Sequence, residues 1–180
     1  MQPAQTMFAY FGGGCFWCTE AIFERVRGVV KVTSGYAGGS TDNPNYFLVV
    51  EELTGHAEVI QVEYDPAVVS YPQLLDIFFH THDPTSLNQQ GADKGTKYRS
   101  IILFTSSEQQ IAAEKMKKTL SDSNEFSKPL VTEIKPLTKF YPAESYHQNY
   151  YQQNENTPYC QVVISPKLAA FHRRYAKLVK

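Results

Sequence analysis

Cys15 follows three consecutive glycines, Gly12 to Gly14, and precedes Phe16, Trp17 and a second cysteine, Cys18. Met7 to Phe11 reads as a short buried strand, the glycines as a turn of little bulk, and Phe16 to Val30 as a helix carrying apolar Phe16, Ile22, Phe23 and Val26. A thiol at the start of such a helix faces free N–H groups and the positive end of the helix dipole, which are expected to lower its pKa and enrich the thiolate. Glycine before it leaves the sulfur open to a substrate. The pattern points to nucleophilic or redox chemistry at Cys15.

Glu58 is the second residue of interest. Ala57 to Tyr64 alternates as a strand, which places Glu58 on the face of Ile60, Val62 and Tyr64 and leaves Gln61 and Glu63 on the other. A carboxylate on an apolar face loses hydration of its charged form, so its pKa rises and it can hold a proton for acid catalysis near neutral pH. The same spacing also suits an edge carboxylate that reaches water. Cys18 shares a helical face with Cys15, Ile22 and Val26, as either a reactive partner or a small buried hydrophobe. Cys160 follows the polar stretch from Gln152 to Thr157, so a mobile segment can carry it to another thiol; a buried strand cysteine is the plainer reading. His147 could in principle activate a cysteine nucleophile, as in a hydrolase. Tyr46 and Tyr98 stand beside loops rich in glycine and polar residues, where a phenol can hydrogen-bond a ligand.

The elements that must hold these groups are read from periodicity. A glycine-rich loop spans Ser34 to Asn45 and leads into an apolar run from Tyr46 to Val50. Ser70 caps a helix of Leu74, Leu75, Ile77, Phe78 and Phe79; Ser100 to Thr105 is a buried strand; Ser107 caps a helix of Ile111, Met116 and Leu120; Leu130 to Lys135 is a further strand. Leu168, Phe171, Tyr175 and Leu178 mark a closing amphipathic helix. This mixture predicts an α+β fold, a two-layer sheet covered by helices, in one domain over 1–180.

Composition narrows the partners. Hydrophobic residues make up 42% of the 180, enough for a substantial core, and the formal net charge of -1 offers no basic surface for nucleic acid. The opening MQPAQTMFAYFGGG has no basic n-region and too short an apolar run for a secretion signal, and no later run spans a membrane, so the expected location is cytoplasmic. Three cysteines fit redox use better than a disulfide framework, and one CxxC pair is too few ligands for zinc; no cofactor is expected.

Five ordered blocks then carry a resemblance over nearly the whole chain: GCFWC at Gly14 to Cys18, SGYAGG at Ser34 to Gly39, TGHAEV at Thr54 to Val59, DPTSLNQQGADKGTKYRS at Asp83 to Ser100 and FYPAESYHQNYY at Phe140 to Tyr151. In them the sequence resembles the A class of peptide methionine sulfoxide reductases, MsrA. The resemblance implies a ferredoxin-like α+β sandwich and thiol-dependent reduction of methionine S-sulfoxide, free or in proteins and peptides. It implies Cys15 as the nucleophile at sulfur, Glu58 as the proton donor to oxygen, and Tyr46 and Tyr98 as hydrogen-bond donors to that oxygen. Phe16 and Trp17 become walls for the methyl group, and Asp93 a neighbour acting through water or by orienting a ligand. The Cys15 sulfenic acid would be resolved by Cys160, and thioredoxin would reduce the disulfide. Cys18, Ala92 and Lys97 depart from frequent family residues, which bears on substrate preference, and no cysteine-bearing tail follows the last helix. Two other classes compete on the residues alone: a thioredoxin-like dithiol oxidoreductase using Cys15 and Cys18, and a peptide-binding module with an aromatic pocket.

Overall fold

The computed structural model describes residues 5–180. Met1 to Ala4, which open the segment read above for targeting signals, lie outside the described residues.

Strand β1 (Met7–Gly12) leads through the glycine turn into helix α1 (Phe16–Phe23), followed by β2 (Val29–Ala37), the short helix α2 (Tyr46–Val50), β3 (Ala57–Tyr64) and α3 (Tyr71–His80). Then come the two-residue strands β4 (Gln89–Gln90) and β5 (Asp93–Lys94), β6 (Ile101–Phe104), α4 (Ser107–Asp122), β7 (Glu133–Pro136), β8 (Phe140–Pro142), α5 (Tyr150–Asn154) and α6 (Ser165–Arg174). Six strands form one sheet in the order β7-β6-β1-β3-β2-β8, antiparallel throughout except for the parallel β6–β7 pair, while β4 and β5 form a small separate hairpin. The chain is thus α+β, with a mixed sheet.

Period-2 alternation sorts side chains between the two faces of this sheet. Ala9, Phe11, Ile60, Val62, Tyr64 and Ile102 enter the main core with Phe23, Leu74, Phe78 and Phe171 from the helices; Tyr10, Ala57, Val59, Ile101 and Leu103 form a smaller cluster on the opposite face. Phe11 stacks on Phe78 at 5.0 Å, which fixes α3 against the central strand that delivers Cys15. Ser70 caps α3 with a reciprocal bond to Gln73. No helix among the described residues is long and apolar enough to cross a membrane.

Several expected elements differ. The helix expected over Phe16 to Val30 stops at Phe23. Gly28 turns the chain at φ +93°, and a side chain there would meet Val69 and Val68 at 2.8 and 3.0 Å. Ser34 to Ala37, expected as loop, belongs to β2, and the apolar run Tyr46–Val50 is a helical turn capped by Asn45. Ser106, not Ser107, caps α4, and the strand expected from Leu130 starts only at Glu133, where pairing with β6 begins.

Candidate active site

The turn that presents Cys15 is shaped by its neighbours. Gly14 has φ +97°, and a Cβ on it would lie 2.7 Å from the Gln90 side chain; that side chain is itself bonded to the Asp83 backbone at both ends. Cys15 is the residue preceding the first turn of α1, and its carbonyl accepts the Cys18 N–H at 3.0 Å.

Glu58 comes in from β3, only 3% exposed, and its carboxyl accepts the Phe16 N–H at 3.2 Å, one residue from Cys15. Burial pushes Glu58 up to about 8, against the pull of that N–H, and the Asp93 charge adds to the rise. The group therefore carries its proton at neutral pH, as an acid donor must. Tyr46, at the start of α2, and Tyr98, in the helical turn Thr96–Tyr98, both lie within the electrostatic reach of Glu58 and Cys15, and burial keeps both phenols protonated. Their O–H groups remain donors. Glu144 holds Tyr46 in place by accepting its backbone N–H at 2.8 Å, and also accepts the Tyr36 hydroxyl at 2.9 Å.

The thiols differ from the helix-terminus expectation. Burial pushes Cys15 well above the ordinary thiol range, and the hydrogen bond with Cys18 and the nearby Glu58 push the same way. Cys18 is brought down to about 7, chiefly by its hydrogen bond with Cys15, against burial. The two thiols are thus coupled, with Cys18 the more acidic and Cys15 the one that keeps its proton.

Aromatic groups close the site. Phe16 is buried against Tyr36 and His147, with ring centroids 5.7 and 5.0 Å away. Trp17 is half-buried; its indole stacks flat on Tyr150 at 3.6 Å and donates from Nε1 to His147 Nδ1 at 3.1 Å. That bond spends the histidine's acceptor on Trp17, so His147, whose pKa burial lowers, is not placed as a base for Cys15. Asp93, presented by the β4–β5 hairpin, accepts the Tyr159 hydroxyl at 2.8 Å, and that same hydroxyl lies 3.7 Å from Cys18 Sγ.

Cys160 sits next to Tyr159, fully buried in the π-helical turn Cys160–Ile164 that runs into α6. It does not lie in a strand. The turn packs on α1, and Tyr150 stands within electrostatic reach of both Cys160 and Cys15. All three cysteines are free thiols. Among the described residues no group of three His, Cys, Asp or Glu is arranged to hold a metal. The sequence reading missed Tyr159, Tyr150 and Glu144. Only the YHQNYY and TPYC segments hinted at the two tyrosines, as aromatics among polar residues.

A buried thiol pair, a protonated carboxyl, two phenols and several aromatic rings come together here. Comparison with known proteins gives one answer. The family described as peptide methionine sulfoxide reductase matches residues 7–179. The chain is 53% identical over 172 residues to "Peptide methionine sulfoxide reductase MsrA" of Acinetobacter baumannii (strain AYE), covering 96% of this chain and 98% of that protein. Among solved structures it is similar to reduced Mxr1 from Saccharomyces cerevisiae, with TM-score 0.79 and 36% identity over 88% of this chain and 91% of that one. It is also similar to Mxr1 in complex with Trx2, with TM-score 0.56 and 27% identity over 83% and 87%.

Proposed function

Because the chain belongs to the peptide methionine sulfoxide reductase family, we propose that it reduces methionine S-sulfoxide, free or in proteins and peptides, at the Cys15–Glu58 centre. The observation that carries this reading is the protonated, buried Glu58 bonded to the amide next to Cys15. With the sulfoxide methyl against Phe16 and Trp17, the oxygen faces Glu58, Tyr46 and Tyr98, and the sulfur faces Cys15. Glu58 gives its proton to the oxygen as Cys15 sulfur attacks the sulfoxide sulfur, and the phenols stabilise the oxygen through hydrogen bonds. The sulfur–oxygen bond breaks, the oxygen passes to Cys15 as a hydroxyl, methionine leaves, and Cys15 is a sulfenic acid whose former thiol proton replaces the one Glu58 gave. Asp93 orients Tyr159 beside the thiol pair.

Cys160 then attacks the sulfenic sulfur, releasing water and forming the Cys15–Cys160 disulfide. Its π-helical turn supports this role, since such turns are rare and concentrate at functional sites. Thioredoxin reduces the disulfide by thiol exchange, a partner suggested by the Mxr1–Trx2 complex. The strand order β6-β1-β3-β2, with α1 and α3 as crossovers on one side, supports a ferredoxin-like two-layer core within a single domain. The protein is read as cytoplasmic, without nucleic-acid or membrane partners.

The test is turnover of blocked methionine sulfoxide as separated S and R epimers, with dithiothreitol as reductant. Reduction of S alone is expected; reduction of neither by folded protein would remove the reading. Cys160→Ser should release one equivalent of methionine per protein in a single turnover yet lose steady-state turnover with thioredoxin. Sustained thioredoxin-driven turnover in that variant would assign resolution to another thiol.

A further inference from the structure

Glu20 is the one buried carboxyl near the site that the proposed reaction leaves unused. It lies in α1 beyond Cys18, 1% exposed, and projects into the core instead of to solvent. Its Oε1 accepts the backbone N–H of Asn149 at 2.8 Å, across 129 positions of sequence, while its Oε2 has no partner. Asn149 is in the left-handed region at φ 52°, and its own side chain makes no capping bond to α5. The carboxyl of Glu20 therefore does for the first turn of α5 what a local cap does elsewhere.

What that turn carries gives the contact its consequence. Tyr150 is the first residue of α5 and stacks on Trp17; His147, two residues before Asn149, accepts the Trp17 indole N–H. Gln148 between them is pinned separately, bonding the Ser34 backbone N–H and carbonyl at 2.9 Å each. Trp17 stands three residues before Glu20 on the same helix, so one helical turn carries both the indole and the group that fixes the indole's partners.

We propose that Glu20 is a positioning residue for the substrate wall: by binding the Asn149 amide it locks Tyr150 and His147 around Trp17, and so sets the indole's place for the methyl group. The inference rests on the reading of Trp17 as that wall. The raised pKa of Glu20, to about 7, follows from burial first, opposed by the Asn149 amide and reinforced by Glu24 one turn on. Burial disfavours its charged form, and the Asn149 amide offsets part of that cost.

The chain has a single tryptophan, so its emission reports this assembly alone. Glu20→Ala, Tyr150→Ala and the double variant are compared with wild type in emission and in kcat and KM for the blocked S-sulfoxide with dithiothreitol. The expectation is that Glu20→Ala shifts Trp17 emission to the position seen in Tyr150→Ala. It should raise KM about tenfold with a smaller change in kcat, the scale of a lost charge-assisted bond. The double variant should be no worse than the poorer single one, since both act through one contact. Glu20→Gln keeps an acceptor for the Asn149 amide and should restore wild-type emission and most of the affinity. If Glu20→Ala does not fold, amide hydrogen exchange at Asn149 and Tyr150 in Glu20→Gln decides: protection close to wild type is expected, and free exchange overturns the role. Unchanged emission in Glu20→Ala, or effects of Glu20 and Tyr150 that simply add, would also overturn it. A wild-type protein without turnover would defeat the functional reading while the emission and exchange results still judged Glu20.

Discussion

Glu58→Gln is expected to lose activity and gain stability together. With the acid removed, turnover of the S-sulfoxide should fall about 10²-fold or more, the usual worth of a positioned proton donor. The alkaline limb of the wild-type rate profile, set by loss of the Glu58 proton near pH 8, should vanish with it. Stability follows from linkage. The folded Glu58 holds its proton to about 8 while an unfolded glutamate releases it near 4.5. The native state thus binds the extra proton between those values, and wild-type stability falls as pH rises from 4.5 through 8. Glutamine keeps an oxygen for the Phe16 N–H and has nothing to ionise. The variant should therefore match wild type near pH 4.5 and exceed it by a few kcal/mol at pH 8, a Tm difference of about 5 °C or more. Thermal unfolding of both proteins across this range, with turnover at each pH, checks the pair of effects. An unchanged rate would take Glu58 out of the acid role. A stability difference flat in pH would show that its proton is not held by burial.

Such a trade has a structural cause. The carboxyl is buried because β3 alternates correctly, and that alternation was readable: Ile60, Val62 and Tyr64 enter the main core on the face the spacing predicted for Glu58. The strand, turn and helix around Cys15 were legible for the same reason, since local periodicity and glycine chemistry determine them. β2 was not. Val26, Val29 and Val30 continue the apolar pattern of α1, and only Gly28, with valines packed where its Cβ would be, shows that the chain turns there. The thiol pKa was misjudged because the dipole is a local property of α1 and desolvation is not: the burial that raises Cys15 comes from the surrounding fold. Glu20 was passed over for a related reason. Within Phe16 to Phe23 it reads as an exposed helix charge, and no spacing in sequence reveals a partner at Asn149.

Cys15→Ser should abolish turnover, by about 10³-fold or more, while Cys18→Ala should keep it within about tenfold. Acidity does not choose Cys15, since burial holds it well above the ordinary thiol range while Cys18 is brought down to about 7. Position does. Glu58 is bonded to the amide following Cys15, and Tyr46 and Tyr98 gather around the same two groups, so an oxygen held there brings its sulfur to Cys15. Cys18 Sγ turns instead toward the Tyr159 hydroxyl, which Asp93 already holds. The pairing gives Cys18 a measurable part nonetheless. Cys18 is among the groups that raise Cys15, through its hydrogen bond and its charge, so in Cys18→Ala the pH midpoint of Cys15 alkylation by iodoacetamide should move below that of the wild type. Mass mapping of the alkylated peptide, run beside turnover with dithiothreitol, separates the outcomes. Turnover that survives in Cys15→Ser, or dies in Cys18→Ala with Cys15 still open to alkylation, would move the nucleophile one helical turn along α1. Loss in the first variant alone, with the midpoint lowered in the second, is what a nucleophile at Cys15 beside a coupled thiol requires.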